Sequence, residues 1–65
     1  MNGEIVLGRG EFDIAIATGR PPSCVTVVAE DAGPVILEAP RLLGDGFAFR
    51  ACLTARCRIR YHYTV

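Results

Sequence analysis

The spacing of glycine and proline constrains this chain more than any other feature. Seven glycines and four prolines interrupt the sequence at short intervals. No window between them repeats apolar residues at the i, i+3, i+4, i+7 spacing of an amphipathic helix, so helix is disfavoured throughout. The uninterrupted segments are short and rich in Val, Ile, Phe and Tyr, which favours β-strands.

Alternation of apolar and polar residues defines the strands. Phe12, Ile14 and Ile16 fall on one face of their segment, as expected for a half-buried strand. Val35-Ile36-Leu37 is apolar without alternation, which predicts a strand covered on both faces. The predicted strands cover residues 3–7, 11–18, 24–30, 35–37, 47–53 and 56–63, and residues 41–43 form either a further short strand or a single turn.

Turn residues separate these strands. Gly19 tolerates positive φ and is followed by Pro21 and Pro22, which cannot donate to a strand ladder. The Asp-Ala-Gly-Pro segment at 31–34 and the Gly-Asp-Gly segment at 44–46 predict two further turns.

The last two strands read as a hairpin, because only a short loop separates them. A three-residue loop at 53–55 makes their apolar faces coincide, whereas a two-residue loop would pair aromatic residues with arginines. The hairpin register predicted in this way pairs Phe49 with Ile59, Phe47 with Tyr61 and Arg50 with Arg58.

Six or seven short strands without a covering helix predict one all-β domain over residues 1–65, a small antiparallel β-sandwich with a small barrel as the alternative. A domain of this size buries only about 60% of the surface of its unfolded chain. Because 51% of the residues are apolar, we expect part of that surface to meet a partner. The predicted core contains Phe12, Ile14, Ile16, Val25, Val27, Ile36, Phe47, Phe49, Ile59 and Tyr61.

A row of four arginines and one histidine on the polar side of the last two strands is the most unusual feature of the charge pattern. It contains Arg50, Arg56, Arg58, Arg60 and His62, in a chain whose seven arginines balance seven acids overall. Like charges opposite one another destabilise a sheet unless they are neutralised.

Three sources of neutralisation are open. Glu11 and Asp13 lie on the polar face of the 11–18 strand and could neighbour the arginines in one sheet. The carboxylates of a second copy, or the phosphates of a nucleic acid, could neutralise them instead. The five residues of the row, together with Glu11 and Asp13, are therefore the interface candidates.

Catalytic and metal-binding patterns are weak. Cys24, Cys52, Cys57 and His62 lack the paired spacing of a zinc site, and strand parity places Cys57 on the core face, away from Cys52 and His62. Parity also separates Cys57 from His62 as a catalytic dyad. We therefore expect core thiols that are reduced, no metal, no cofactor and no enzymatic activity.

The beginning of the sequence bears on localisation. It lacks a basic segment followed by a long apolar one, and no stretch approaches eighteen apolar residues. We expect a soluble protein made in the cytoplasm without a Sec-type signal and without membrane contact.

The strand-and-turn pattern of most of the chain resembles the small β-sandwich proteins of tailed-phage virions, which occur in tails, fibres and capsid decorations. The resemblance lies in residues 12–27, Gly33-Pro34, Asp45-Gly46-Phe47 and residues 59–63. It implies a non-enzymatic structural role in many copies and a location in the virion. It carries over no functional residue, and the three cysteines and the arginine row depart from it.

Two functional hypotheses follow. The first is a structural assembly protein that forms homo-oligomers through surplus apolar surface and arginine to carboxylate contacts. The alternative is a small barrel that binds nucleic acid through the face formed by Arg50, Arg56, Arg58 and Arg60.

Overall fold

The computed structural model describes residues 1–30 and 35–65, and these residues contain seven strands and no helix. The all-β prediction is confirmed, and residues 41–43 form the further strand. No described segment is a helix that could cross a membrane. The strands are β1 (Asn2–Leu7), β2 (Gly10–Ala17), β3 (Ser23–Glu30), β4 (Val35–Leu37), β5 (Arg41–Leu43), β6 (Gly46–Leu53) and β7 (Cys57–Thr64).

Two antiparallel sheets pack face to face. The three-stranded sheet has the order β1-β7-β3, and the four-stranded sheet has β6 between β2 on one side and the successive short strands β4 and β5 on the other. None of the described strands pairs across the two sheets, so they remain separate layers. The sandwich is confirmed, and the barrel alternative is wrong.

The predicted hairpin between the last two strands is wrong. β6 and β7 are the middle strands of different sheets, so neither Phe49 and Ile59 nor Arg50 and Arg58 are cross-strand neighbours. Parity could not reveal this, because a hairpin and a crossing between sheets both turn the apolar faces toward one core. The predicted faces are accordingly correct although the pairing is not.

The core lies between the two middle strands. Phe49 and Ile59 are both 0% exposed, and the Phe47 ring approaches the Tyr61 and Tyr63 rings of the opposite sheet with centroid distances of 5.8 and 5.7 Å. These contacts hold the layers together, since aromatic rings bury large areas and favour tilted packing.

The predicted core is correct in part. Phe47, Phe49 and Ile59 are buried, and the half-buried members packed against them are Phe12, Ile14, Ile16, Val25, Val27 and Tyr61. Ile36 is 69% exposed, so its assignment to the core and the prediction that 35–37 is covered on both faces are wrong. The second face of β4 has no covering layer among the described residues. The prediction omitted five buried residues, Ala48, Ala51, Leu53, Cys57 and Tyr63.

Gly44 and Gly46 shape the approach of the neighbouring strands to β6. Gly44 has a φ of 57° at the first position of the two-residue turn between β5 and β6, a conformation that other residues rarely adopt. A Cβ at Gly46 would lie 2.1 Å from the Ile16 carbonyl oxygen, so only glycine lets β2 approach β6 here. Gly19 also has the positive φ expected of its turn, whereas the turn predicted at 31–34 lies outside the described residues.

Candidate functional site: outer faces and strand edges

The structure separates the predicted arginine row. Arg50 lies on β6 in the four-stranded sheet, whereas Arg58, Arg60 and His62 lie on β7 in the three-stranded sheet. Arg56 precedes β7 in the connection between the sheets. Because the two outer faces of a sandwich point in opposite directions, Arg50 shares no surface with these three residues of β7.

The outer side of the three-stranded sheet, which we call the β7 face, presents an ordered array of side chains. Glutamates flank its two central arginines on opposite sides. The cross-strand register gives three rows of three residues: Asn2, His62 and Thr26; Glu4, Arg60 and Val28; and Val6, Arg58 and Glu30.

Ion pairs run diagonally across these rows. Arg58 Nε lies 2.6 Å from Glu4 Oε1, and Arg60 Nη1 donates to Glu30 Oε1 at 3.0 Å. The hydrogen bond and charge of Glu30 raise the pKa of Arg60 above its ordinary value, with a smaller contribution from Glu4. The two arginines of the β7 face therefore meet carboxylates of their own chain.

The remaining row of the β7 face is polar. His62 Nδ1 and Asn2 Oδ1 are hydrogen-bonding partners. A shallow depression of about 300 Å³ lies over this row and includes Thr26 and Arg60 in its lining. This part of the surface offers donors and acceptors at solvent-exposed positions.

The outer side of the four-stranded sheet, the β6 face, has its own ion pairs at one end. Asp13 Oδ1 lies 3.5 Å from Arg50 Nε and 3.9 Å from Arg41 Nη2. Glu11 lies 4.0 Å from the Cys52 thiol, which donates weakly to it. The other end of this face carries the small exposed side chains of Ala15 and Ala17 on β2.

Of the three sources of neutralisation left open by the sequence, an acid of the same sheet is present for Arg50, which Asp13 contacts, whereas Glu11 contacts Cys52. Neither acid lies in the sheet of the arginines on β7. Sequence reasoning missed Glu4 and Glu30 as their partners. Alternation alone places both glutamates on polar faces, but only the strand order shows that they flank β7.

Large apolar side chains remain at the surface in both sheets. Two lie on the β7 face, three belong to the short strands of the other sheet, and two are chain-terminal. The seven are Val6, Val28, Ile36, Leu42, Leu43, Met1 and Val65, each about half exposed or more. Such residues are ordinary singly, but the adjacent strands β4 and β5 contribute three of them to one sheet edge.

The cysteines occupy three different environments. Cys57 is buried, Cys52 is partly covered on the β6 face, and Cys24 is exposed, with all three thiols free. The prediction of core thiols is therefore correct for Cys57 and wrong for Cys24. Among the described residues, no three His, Cys, Asp or Glu side chains come together in a metal-binding group.

Fold and surface together define a small antiparallel β-sandwich with charge-paired outer faces. Comparison of the chain with models of protein families, with curated proteins and with solved structures gives no match.

Proposed function

We propose that this chain is a non-enzymatic structural protein that assembles in many copies. The observation that carries the proposal is the contrast between a small core and a large apolar exterior. Among the described residues, the eight buried residues of the hydrophobic core all lie on β6 and β7, while seven large apolar side chains are about half exposed or more. Association would bury part of that exterior and so add to a core that is small for an independent domain.

The resemblance to small sandwich proteins of phage virions supports the finer form of the proposal, a component of a tail, a fibre or a capsid decoration. Such assemblies use many copies of one module, which suits a compact chain whose charges balance. This finer form rests on the strand-and-turn pattern alone.

The ion pairs do not favour the nucleic-acid alternative. Arg58 and Arg60 contact Glu4 and Glu30, and Arg50 contacts Asp13 on the opposite face. A phosphate backbone would have to displace these carboxylates, and the arginines do not follow one strip. Salt-dependent retention on single-stranded DNA would support the alternative, whereas flow-through at low salt would support assembly.

Sedimentation and native mass spectrometry test the proposal directly. We expect oligomers of the wild-type chain at tens of micromolar, with the fold monitored by circular dichroism. A folded monomer at that concentration would contradict homo-oligomeric assembly.

A pair of charge reversals tests whether the β7 face takes part. If it does, Arg58→Glu weakens association more than Arg20→Glu, because Arg20 lies in the turn after β2. Arg58→Glu also places a third acid beside Glu4 and Glu30, so its unfolding midpoint must be measured in parallel. Equal association of the two variants in an intact oligomer would remove the β7 face from the contact.

A further inference from the structure

The four outer edges of the sandwich are not equally protected against pairing with another chain. An edge strand presents unpaired backbone groups, and natural sheets guard such edges with bulges, prolines or short strands. β3 is guarded, since Pro21 and Pro22 precede it and its register shifts between Ser23 and Thr26, where Cys24 has a φ of 53°.

The edge formed by β4 and β5 is guarded as well. Leu37 pairs with Ala51 and Arg41 pairs with Ala48. The edge therefore advances by four residues where β6 advances by three. The extra residue and Pro40 interrupt the edge, and each of the two strands has only three residues.

β2 has no bulge, no proline and no short length, and its only charged side chains are those of Glu11 and Asp13. Its eight residues pair with β6 without a register shift, and it contains neither proline nor a cationic residue. It is the terminal strand of its sheet, and its core-facing side chains Phe12, Ile14 and Ile16 are only half buried. A further strand beside it would continue both the ladder and the apolar layer.

Parity and charge select a second copy of β2 as that strand. In an antiparallel pair centred on Ile14, each residue meets one on the same face, and residues 11–17 are all paired. Asp13 then meets Ala15 of the other copy, and Glu11 meets Ala17. Each acid thus lies opposite a small neutral residue, and Phe12 lies opposite Ile16 in the core-facing layer.

β1 is the remaining continuous edge, and its shorter length disfavours the same arrangement. Its six residues pair with β7 without interruption. A same-face antiparallel pair of two β1 strands overlaps over at most five residues, against seven for β2. Centred on Glu4, it places Glu4 opposite Glu4 of the other copy, and like charges opposite each other destabilise a sheet; centred on Ile5, it places Glu4 opposite Val6. Because its paired segment is shorter in either register, β1 is the weaker candidate.

We propose that two copies of this chain pair through β2, antiparallel and centred on Ile14, so that the two four-stranded sheets become one continuous sheet. The contact is isologous and closes a two-fold dimer. This inference rests on the proposed assembly function and identifies the β2 edge as the surface through which two copies bind each other.

Two substitutions at one exposed position test the register. Ala15→Glu places an acid opposite Asp13 of the other copy at two symmetric points, and we expect it to raise the dissociation constant of the dimer about tenfold. Ala15→Lys has a similar size but the opposite charge, so we expect it to leave the dimer intact or tighten it. Sedimentation equilibrium measures both, and circular dichroism confirms that both variants fold.

A second position and a matched control sharpen the test. Ala17→Glu and Ala17→Lys should repeat the difference through Glu11 of the other copy, which keeps the test available if a variant at Ala15 fails to fold. Thr26→Glu and Thr26→Lys place the same charges on the exposed face of β3, and we expect them to leave dimerisation unchanged.

The outcomes separate this inference from the proposed function. A wild-type oligomer that responds to neither charge at Ala15 and Ala17 would overturn pairing through β2 but leave assembly standing. Equal weakening by glutamate and lysine would overturn the register centred on Ile14. A wild-type monomer at tens of micromolar would overturn homo-oligomeric assembly and β2 pairing together.

Discussion

The middle strands β6 and β7 differ sharply in burial from the edge strands β1, β2 and β3. The middle strands supply all the fully buried apolar side chains of the described residues, whereas the core-facing positions of the edge strands are only half buried. A middle strand has neighbours on both sides and a packed layer on its inner face, while an edge strand is open to water along one side. In a chain of 65 residues, the two middle strands therefore carry most of the stability, and the edges retain surface for association.

The largest test of this comparison uses the thiols already present. Cys57 is buried on β7 and Cys24 is exposed on β3, so an aromatic disulfide reagent should label Cys24 at least about a thousandfold faster. Cys57 should react only when the middle strands open. Labelling of both thiols at similar rates would show that β7 opens as readily as an edge.

Cys52 supplies an internal control, because it is partly covered on the β6 face and should react at an intermediate rate. Mass spectrometry of the labelled chain assigns each rate to its cysteine. An intact mass two units low would instead indicate a disulfide and contradict the prediction of three reduced thiols.

Truncation of one aromatic residue in each region gives the next largest effect. Phe49→Ala on β6 should lower the free energy of unfolding by about 3 kcal/mol, since the ring is fully buried and leaves a cavity. Phe12→Ala on β2 should cost less than half as much, because its ring is already partly exposed. Urea titration of both variants measures the difference.

Oligomerisation has to be held constant in that comparison. Measured at a concentration where the chain is monomeric, a cost for Phe49→Ala below about 1.5 kcal/mol would place this ring at a surface or in an interface. A Phe12 cost that grows with protein concentration would indicate that β2 is covered by another copy.

The smallest expected effect concerns the ion pairs of the β7 face. Glu4→Gln removes the partner of Arg58, and we expect it to lower the free energy of unfolding by less than about 1 kcal/mol, because both side chains are about half exposed. The cost should shrink further in 0.5 M salt at a Debye length of roughly 4 to 5 Å. A larger cost that resists salt would mean that the β7 face is covered rather than solvated.

The local sequence pattern was sufficient to predict the strands, because the alternation of apolar and polar residues and the turns that bound a strand depend on residues adjacent in the sequence. The predicted segments 11–18, 24–30 and 47–53 match β2, β3 and β6 to within one residue at each end. The same alternation assigned Phe47 and Ile59 to the core face. Successive side chains of a strand point to opposite faces, and this does not depend on which strand is its neighbour.

Pairing between strands was not predictable in the same way. The hairpin predicted for the last two strands brought their apolar faces together at the cost of a row of like charges. It is wrong, because a three-residue connection can also cross from one sheet to the other. The wrong pairing also affected the predicted interface residues. Arg50 and Arg58 lie on opposite faces, and Glu4 and Glu30, rather than Glu11 and Asp13, lie beside β7.

The sequence by itself determined that the described residues form β-strands and no helix, which side of the longer strands faces the interior, and that the chain turns at Gly19 and at residues 44–46. Only the tertiary structure decided which strands are in the middle, which carboxylate meets which arginine, and which edge is left open. The physical reason is that side-chain alternation depends on residues next to each other in the chain. Strand order depends instead on the free energy of contacts between residues far apart in it.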